Sequence, residues 1–210
     1  LEKLGAAFEN FYMFAGNHDL YYKDKRDISS TEFARHIPGI TVVDQMMVQD
    51  DVALVPWLVG DEWKKIEKLK AKYLFGHFEL PSFYMNAMVQ MPDHGELKAE
   101  HFKNQEYVFS GHFHKRQKQG KVHYIGNAFP HNYADAWDDA RGMMILDKEN
   151  DADPLYIDWA ECPKYRTVKL SKLIDEKDTL IKPNMYLRVT LDIDISYEEA
   201  TFIKEAFMET

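Results

Sequence analysis

The sequence holds a single cysteine, Cys162, so no internal disulfide framework braces it, and this usage fits a reducing cytoplasm. It has no apolar run near the roughly 18 residues that a membrane span needs. No basic-then-apolar leader opens it, so secretion is not expected. Positive charge is in deficit: 26 Lys and Arg stand against 35 Asp and Glu, a net charge of −9. That balance argues against indiscriminate binding to nucleic acid, whose phosphates need Lys and Arg, and leaves room only for local basic patches. Core-forming residues are not lacking. Hydrophobic residues make up 45% and aromatics 14% of the chain, which excludes a disordered polymer. At 210 residues there is enough for one ordinary domain and part of a second. The first residue is Leu1 rather than Met, and residues 1–10 read as the end of a helix. Residues 197–210 stop inside another helical pattern, so the expectation is a piece of a longer protein.

The periodicity predicts an α/β fold. Short apolar runs read as strands at 11–15, 40–43, 52–55, 73–75, 107–109 and 122–125. A polar loop is expected over 17–27 and a helix opening at Ser29 or Ser30 and stopping before Pro38-Gly39. Trp63, Ile66 and Leu69 share one face of an amphipathic helix expected over 61–72. Residues 78–97, with Pro81, Pro92 and Gly95, read as a long loop of the kind that often carries function. A closing hairpin is expected from 142–146 and 155–159. Near Pro163 the pattern changes, and a strand over 186–195 followed by a helix over 197–208 reads as the start of a small second domain, 163–210, after a first of 1–162.

Four times an apolar strand runs into a glycine and then a ligand-type residue: Gly16-Asn17-His18-Asp19, Gly76-His77, Gly111-His112-Phe113-His114 and Gly126-Asn127. Strands that end together line up their following loops on one sheet edge, where α/β proteins gather their sites. His112 and His114 stand two apart, which on an extended segment turns both imidazoles to one face. Imidazole and amide-oxygen donors together suit Mn, Fe or Zn better than Mg or Ca. His36, His94, His101, His123 and His131 lack that context and read as ordinary, although His131, shortly after Asn127, could line the site.

The same motifs, in this order, resemble the calcineurin-like metallophosphoesterases over about residues 1–160. Gly16-Asn17-His18-Asp19-Leu20-Tyr21-Tyr22-Lys23, Pro56-Trp57, Gly76-His77-Phe78-Glu79-Leu80 and Gly111-His112-Phe113-His114 resemble more closely the SbcD-type nucleases of double-strand-break repair, among them the nuclease subunits of tailed-bacteriophage recombination endonucleases. The resemblance implies two packed mixed sheets flanked by helices, and a small α+β capping domain. It implies a pair of divalent metals, Mn first and Fe, Zn or Mg as alternatives. Asn17, His77 and His112 would bind one metal and His114 the other. His18 would act on the developing charge or the leaving oxygen, with Asp19 orienting it. The family's Asp-x-His and Gly-Asp-x-x-Asp motifs precede its Asn-His-Asp motif and would fall before Leu1. The expectation is that this chain alone binds one metal or none and has little activity.

The resemblance further implies DNA as substrate, a homodimer and an SMC-type ATPase partner, in the cytoplasm, that of the host if phage-encoded. Two basic clusters flank the motifs: Lys23, Lys25 and Arg26, and Lys115, Arg116, Lys118 and Lys121. They are candidates for DNA phosphate contacts, with plain solvated surface as the equal alternative. The rival readings are an enzyme of the same fold acting on nucleotides or phosphoproteins, and a non-catalytic scaffold.

Overall fold

A computed structural model describes residues 1–85 and 89–208. The chain divides into two compact units, Leu1–Ala128 with Ala140–Trp159, and Phe129–Asp139 with Ala160 onward. The α/β class expected from the sequence is the class the chain adopts.

In the first unit, a short helix α1 (Glu2–Ala7) leads into β1 (Phe11–Phe14), which pairs in parallel with β4 (Ile40–Val43). Between them β2 (Leu20–Tyr22) and β3 (Lys25–Ser29) form an antiparallel hairpin where a loop was expected. The main sheet holds β5 (Met47–Gln49), β6 (Val52–Val55), β7 (Tyr73–Gly76), β8 (Tyr107–Ser110), β9 (Gln117–Gln119) and β10 (Val122–Tyr124), in the order β5-β6-β7-β8-β10-β9. The four central strands run parallel, and β5 and β9 close the edges antiparallel. A hairpin of β11 (Gly142–Ile145) and β12 (Leu155–Asp158) completes the unit, as expected.

Parallel strands are covered on both faces, and the alternation of these short runs satisfies each. Ala53, Val55, Leu74, Val108, Val122 and Tyr124 face one core, joined by Ile66, Phe78, Leu80, Phe83, Phe102 and Phe113. On the opposite face Tyr73 stacks on Tyr107 and Phe75 on Phe109, and His123 lies against Phe109. The segments expected as α-helices over 29–37 and 61–72 are tighter and shorter 3₁₀ turns, Glu32–His36 and Gly60–Lys68. In the second, the Glu62 carboxylate accepts from the Val59 N–H and pins the first turn. Trp63, Ile66 and Leu69 still face the core at the i, i+3 spacing that a 3₁₀ helix stacks on one side.

The second unit pairs β13 (Lys164–Lys169) in parallel with β14 (Met185–Thr190), connected through α2 (Leu170–Asp175) and α3 (Lys177–Leu180), and followed by α4 (Tyr197–Met208). Val168, Leu173 and Leu180 form its core, with Leu187 and Phe207 packed against them. Residues 129–139 join this unit because Arg166 forks onto Asp139 at 2.9 and 2.6 Å and the Trp137 indole donates to the Thr167 carbonyl.

His123 is buried, its Nδ1 3.2 Å from the Tyr156 hydroxyl and its Nε2 without a partner. Burial, helped by nearby Lys118, pushes its pKa down from 6.5 to about 4. The unfolded chain therefore takes up a proton there before the folded chain does. The stability held above pH 6.5 is lost as pH falls toward 4. His123→Phe should remove this loss: unfolding free energies from urea titrations of variant and parent should diverge between pH 6.5 and 4, by about 2 kcal/mol once solvent screening is allowed for. Parallel pH profiles would contradict it.

Candidate active site at the strand ends

The parallel register sets the site. Val55 lies level with Gly76, Gly76 with Ser110, and Ser110 with Tyr124. Trp57, His77, His112 and Asn127 thus leave the sheet along one edge. The Trp57 N–H donates to the Ala15 carbonyl at 2.9 Å, which ties the end of β1, and with it Asn17, to the same edge.

Three donor atoms meet there. His77 Nε2 lies 3.0 Å from Asn17 Oδ1 and 3.1 Å from His112 Nδ1. The other nitrogen of His112, Nε2, lies 3.0 Å from Glu79 Oε2. A carboxylate only accepts at neutral pH, so His112 donates through Nε2–H and its Nδ1 carries the lone pair. The hydrogen between the two imidazoles then belongs to His77 Nε2, with Asn17 Oδ1 as its second acceptor. A divalent cation can take that hydrogen's place when His77 adopts its other neutral tautomer, with the proton on Nδ1 and the lone pair on Nε2. Donors about 2.1 Å from one ion and at right angles to each other lie about 3.0 Å apart, which matches both separations. The carboxylate behind His112 is the kind of outer partner that orients metal-binding imidazoles. The donor set therefore fits a divalent metal. Among the described residues, no group of three or more His, Cys, Asp or Glu side chains is placed to hold a metal ion; the set here has two imidazoles and the Asn17 amide oxygen.

Sterics hold the imidazoles in place. A Cβ on Gly16 would come within 2.8–3.0 Å of the His77 ring, so that ring occupies the space a side chain would need. A Cβ on Gly76 would come within 2.2 Å of the Phe78 ring, which folds back over the strand into the core and leaves His77 on the other side. The Ser110 hydroxyl accepts from the Phe78 N–H at 2.9 Å, and Tyr124 Oη donates to the Phe78 carbonyl at 2.8 Å and accepts from the Leu80 N–H. These buried bonds fix the backbone carrying His77 and Glu79. The Trp57 ring packs against both His77 and His112. Burial first, then the positive charge His112 can carry, pushes the His77 pKa down to about 4, and burial lowers that of His112 against the pull of Glu79. At neutral pH both are uncharged and can offer lone pairs.

The remaining expected residues are placed as follows. His114 is exposed, close enough for its charge to act on both His77 and His112. Its carbonyl accepts from the Asn127 N–H and from the fully buried Arg141. His18 is exposed beside the cluster. Asp19 uses its carboxylate within its own loop, accepting from the Gly16 N–H at 2.8 Å and the Ser30 hydroxyl at 2.6 Å. Among the DNA candidates, Arg26 and Arg116 are committed inside the fold. Arg26 forks onto Glu62 at 2.6 and 2.8 Å and donates to the Trp57 and Asp44 carbonyls. Arg116 pairs with Asp158 and lies over the Tyr156 ring. Lys121 donates to the Phe102 and Gln105 carbonyls. Lys25 lies over Tyr22 and Lys115 over Tyr84, while Lys23 and Lys118 are exposed. His131 belongs to the second unit.

Sequence reasoning did not assign roles to Glu79 and Trp57. Glu79 stands two residues after His77 on an extended segment, the same signal that paired His112 with His114.

Gly16→Ala should displace the His77 ring while leaving the sheet intact. In histidine-detected NMR titrations, parent His77 should stay neutral down to near pH 4, and in the variant its midpoint should move up toward 6.5. A parent midpoint near 6.5 would contradict the buried cluster.

No protein-family profile matches the chain. It is similar to exonuclease subunit 1 of Enterobacteria phage T4, with 31% identity over 160 residues, covering 72% of this chain and 46% of that protein. The chain thus spans about half the length of the curated relative it matches.

Proposed function

We propose that this chain is the catalytic part of a metal-dependent DNA nuclease subunit that hydrolyses phosphodiester bonds in double-strand-break repair or recombination. The observation that carries this reading is the approach of both Asn17 Oδ1, at 3.0 Å, and His112 Nδ1, at 3.1 Å, to His77 Nε2 on the rim of the main sheet. The similarity to a phage exonuclease subunit supports it.

Divalent metal, Mn first among Mn, Fe, Zn and Mg, would supply an activated water and offset the charge of the phosphate when bound. The chain's own residues do the rest. His77, held neutral by burial, and His112, aimed by Glu79, would donate lone pairs, and Asn17 would add an oxygen without adding charge. His114 would serve a second ion. The exposed His18 is the group able to give a proton to the leaving oxygen. Three donors for one ion and His114 alone for the other fall short of the four to six that such ions commonly take, so the 210 residues alone should hold metal weakly. The relative's name describes a subunit, which supports an assembly. A second copy of the chain and an SMC-type ATPase are the partners we propose.

The test is end-directed degradation of linear duplex DNA by the full-length protein with Mn²⁺. His112→Ala should abolish it, and Glu79→Gln should lower it by about 10–100-fold through loss of imidazole orientation. Absence of hydrolysis with any of the four metals, or activity indifferent to His112→Ala, would remove the proposal. Separately, replacing Lys115 and Lys118 together with Ala should weaken DNA binding and flatten its dependence on log salt concentration by about two units. An unchanged slope would exclude these lysines as phosphate contacts.

A further inference from the structure

The β2–β3 hairpin leaves the loop that carries Asn17 and holds two tyrosines at the surface. Tyr21 keeps 75% and Tyr22 40% of its surface open to solvent. Their rings meet edge to face, with centroids 4.8 Å apart and planes at 84°, and Lys25 Nζ lies 4.6 Å from the centre of the Tyr22 ring. Tyr22 is thus engaged by its neighbours, and Tyr21 carries the larger open surface. A ring this open adds little to the stability of the fold. The hairpin itself is firmly held. At its base the Ser30 N–H donates to the Asp19 carbonyl at 2.8 Å, and the Ser30 hydroxyl to the Asp19 carboxylate at 2.6 Å. Farther out, Arg26 forks onto Glu62 and donates to the Asp44 and Trp57 carbonyls. Tyr21 follows Asn17 by four residues, so their Cα atoms lie at most about 14 Å apart. That is a span of about four base steps at roughly 3.4 Å each.

We propose that Tyr21, braced by Tyr22, is a stacking site for one unpaired base of the DNA strand whose phosphate reaches the Asn17–His77–His112 cluster. The inference rests on the nuclease reading for the identity of the strand, and on the exposed ring pair for the mode of contact. A base inside a duplex has both faces covered by its neighbours, so only a base that has left the stack can lie on the Tyr21 ring. Stacking asks for a flat face and nothing more, which every base has, so the site does not select among the four. Charge does not carry the contact. Lys23 and Lys25 share the hairpin with Asp24 and Asp27, and Lys25 Nζ lies 4.0 Å from the Asp27 carboxylate. The positive charges at the tip are therefore offset, and the strand is held there by a base rather than by its phosphates. Because the hairpin is tied to Asp19 and to the Trp57 segment, a base stacked on Tyr21 keeps the nearby backbone in register with the cluster.

The test uses the full-length protein with divalent metal chelated, so that no strand is cut. Its affinity is measured for a short single strand, for an abasic strand of the same length, and for relaxed closed circular duplex, which has neither ends nor unpaired bases. Tyr21→Ala should weaken the single strand by about 5-fold to 150-fold, the range for loss of one base–aromatic stack. Tyr21→Trp should bind it as the parent does. Neither change should alter binding of the abasic strand or of the circular duplex. The salt dependence of single-strand binding should keep its slope in Tyr21→Ala, since no charge is removed. Single-strand binding untouched by Tyr21→Ala, equal weakening of the abasic strand, a loss that Tyr21→Trp does not restore, or a parent that binds no single strand would each overturn the proposal. The nuclease reading stands or falls separately. A Tyr21-dependent affinity without DNA hydrolysis on addition of metal would keep the stacking site and remove the enzyme. Hydrolysis with an affinity indifferent to Tyr21 would do the reverse.

Discussion

The site depends on the in-register parallel pairing of β6, β7, β8 and β10. Backbone hydrogen bonds hold Val55, Gly76, Ser110 and Tyr124 level, and the Gly111 N–H continues the ladder by donating to the Gly76 carbonyl at 3.2 Å. A slip of one residue in a strand turns every side chain to the other face. It would also lift one imidazole away from its neighbours by about 3.3 Å, more than a coordination distance. The same register that sets Leu74 level with Val108 leaves His77 and His112 just past neighbouring strand ends, with His77 Nε2 3.1 Å from His112 Nδ1.

Two glycines convert the register into a site. Gly76 lets Phe78 turn back into the core, and Gly16 leaves room for the His77 ring against the end of β1. Around them the polar groups divide their work. Ser110 and Tyr124 bond to backbone and fix position, Glu79 bonds to His112 and fixes its tautomer, and burial keeps the imidazoles uncharged. Arg26 belongs to this supporting layer. Its guanidinium holds the Trp57 carbonyl and Glu62, and the Arg26–Glu62 pair keeps that carboxyl below its usual range. A basic residue next to a motif can thus serve the fold rather than the substrate.

The central strands were legible because each is an apolar run ended by glycine or proline, and the closeness of Asn17, His77 and His112 followed from those endings. The edge strand β9 was not legible, because Gln117-Lys118-Gln119 carries no apolar signal and pairs only through its backbone with β10. The β2–β3 hairpin escaped because Leu20-Tyr21-Tyr22 is only three residues long, its partner Lys25–Ser29 is mostly polar, and an irregularity between Leu20 and Tyr22 breaks the register. The helices read at 29–37 and 61–72 had the right buried face but the wrong pitch, since an i, i+3 pattern does not distinguish α from 3₁₀ over two or three turns. Glu79 was in view, but one carboxylate in an exposed loop has no local mark of its partner. Only the fold shows that it faces His112.

In the proposed site one divalent ion would be held jointly by His77 Nε2, His112 Nδ1 and the Asn17 side chain. Cadmium-113, a spin-active stand-in for the ion, can be added to nitrogen-15-histidine-labelled protein and its scalar couplings read directly. The account predicts one bound cadmium coupled to both His77 Nε2 and His112 Nδ1. Cadmium coupled to only one of these rings, or through the opposite nitrogen of His112, would contradict it.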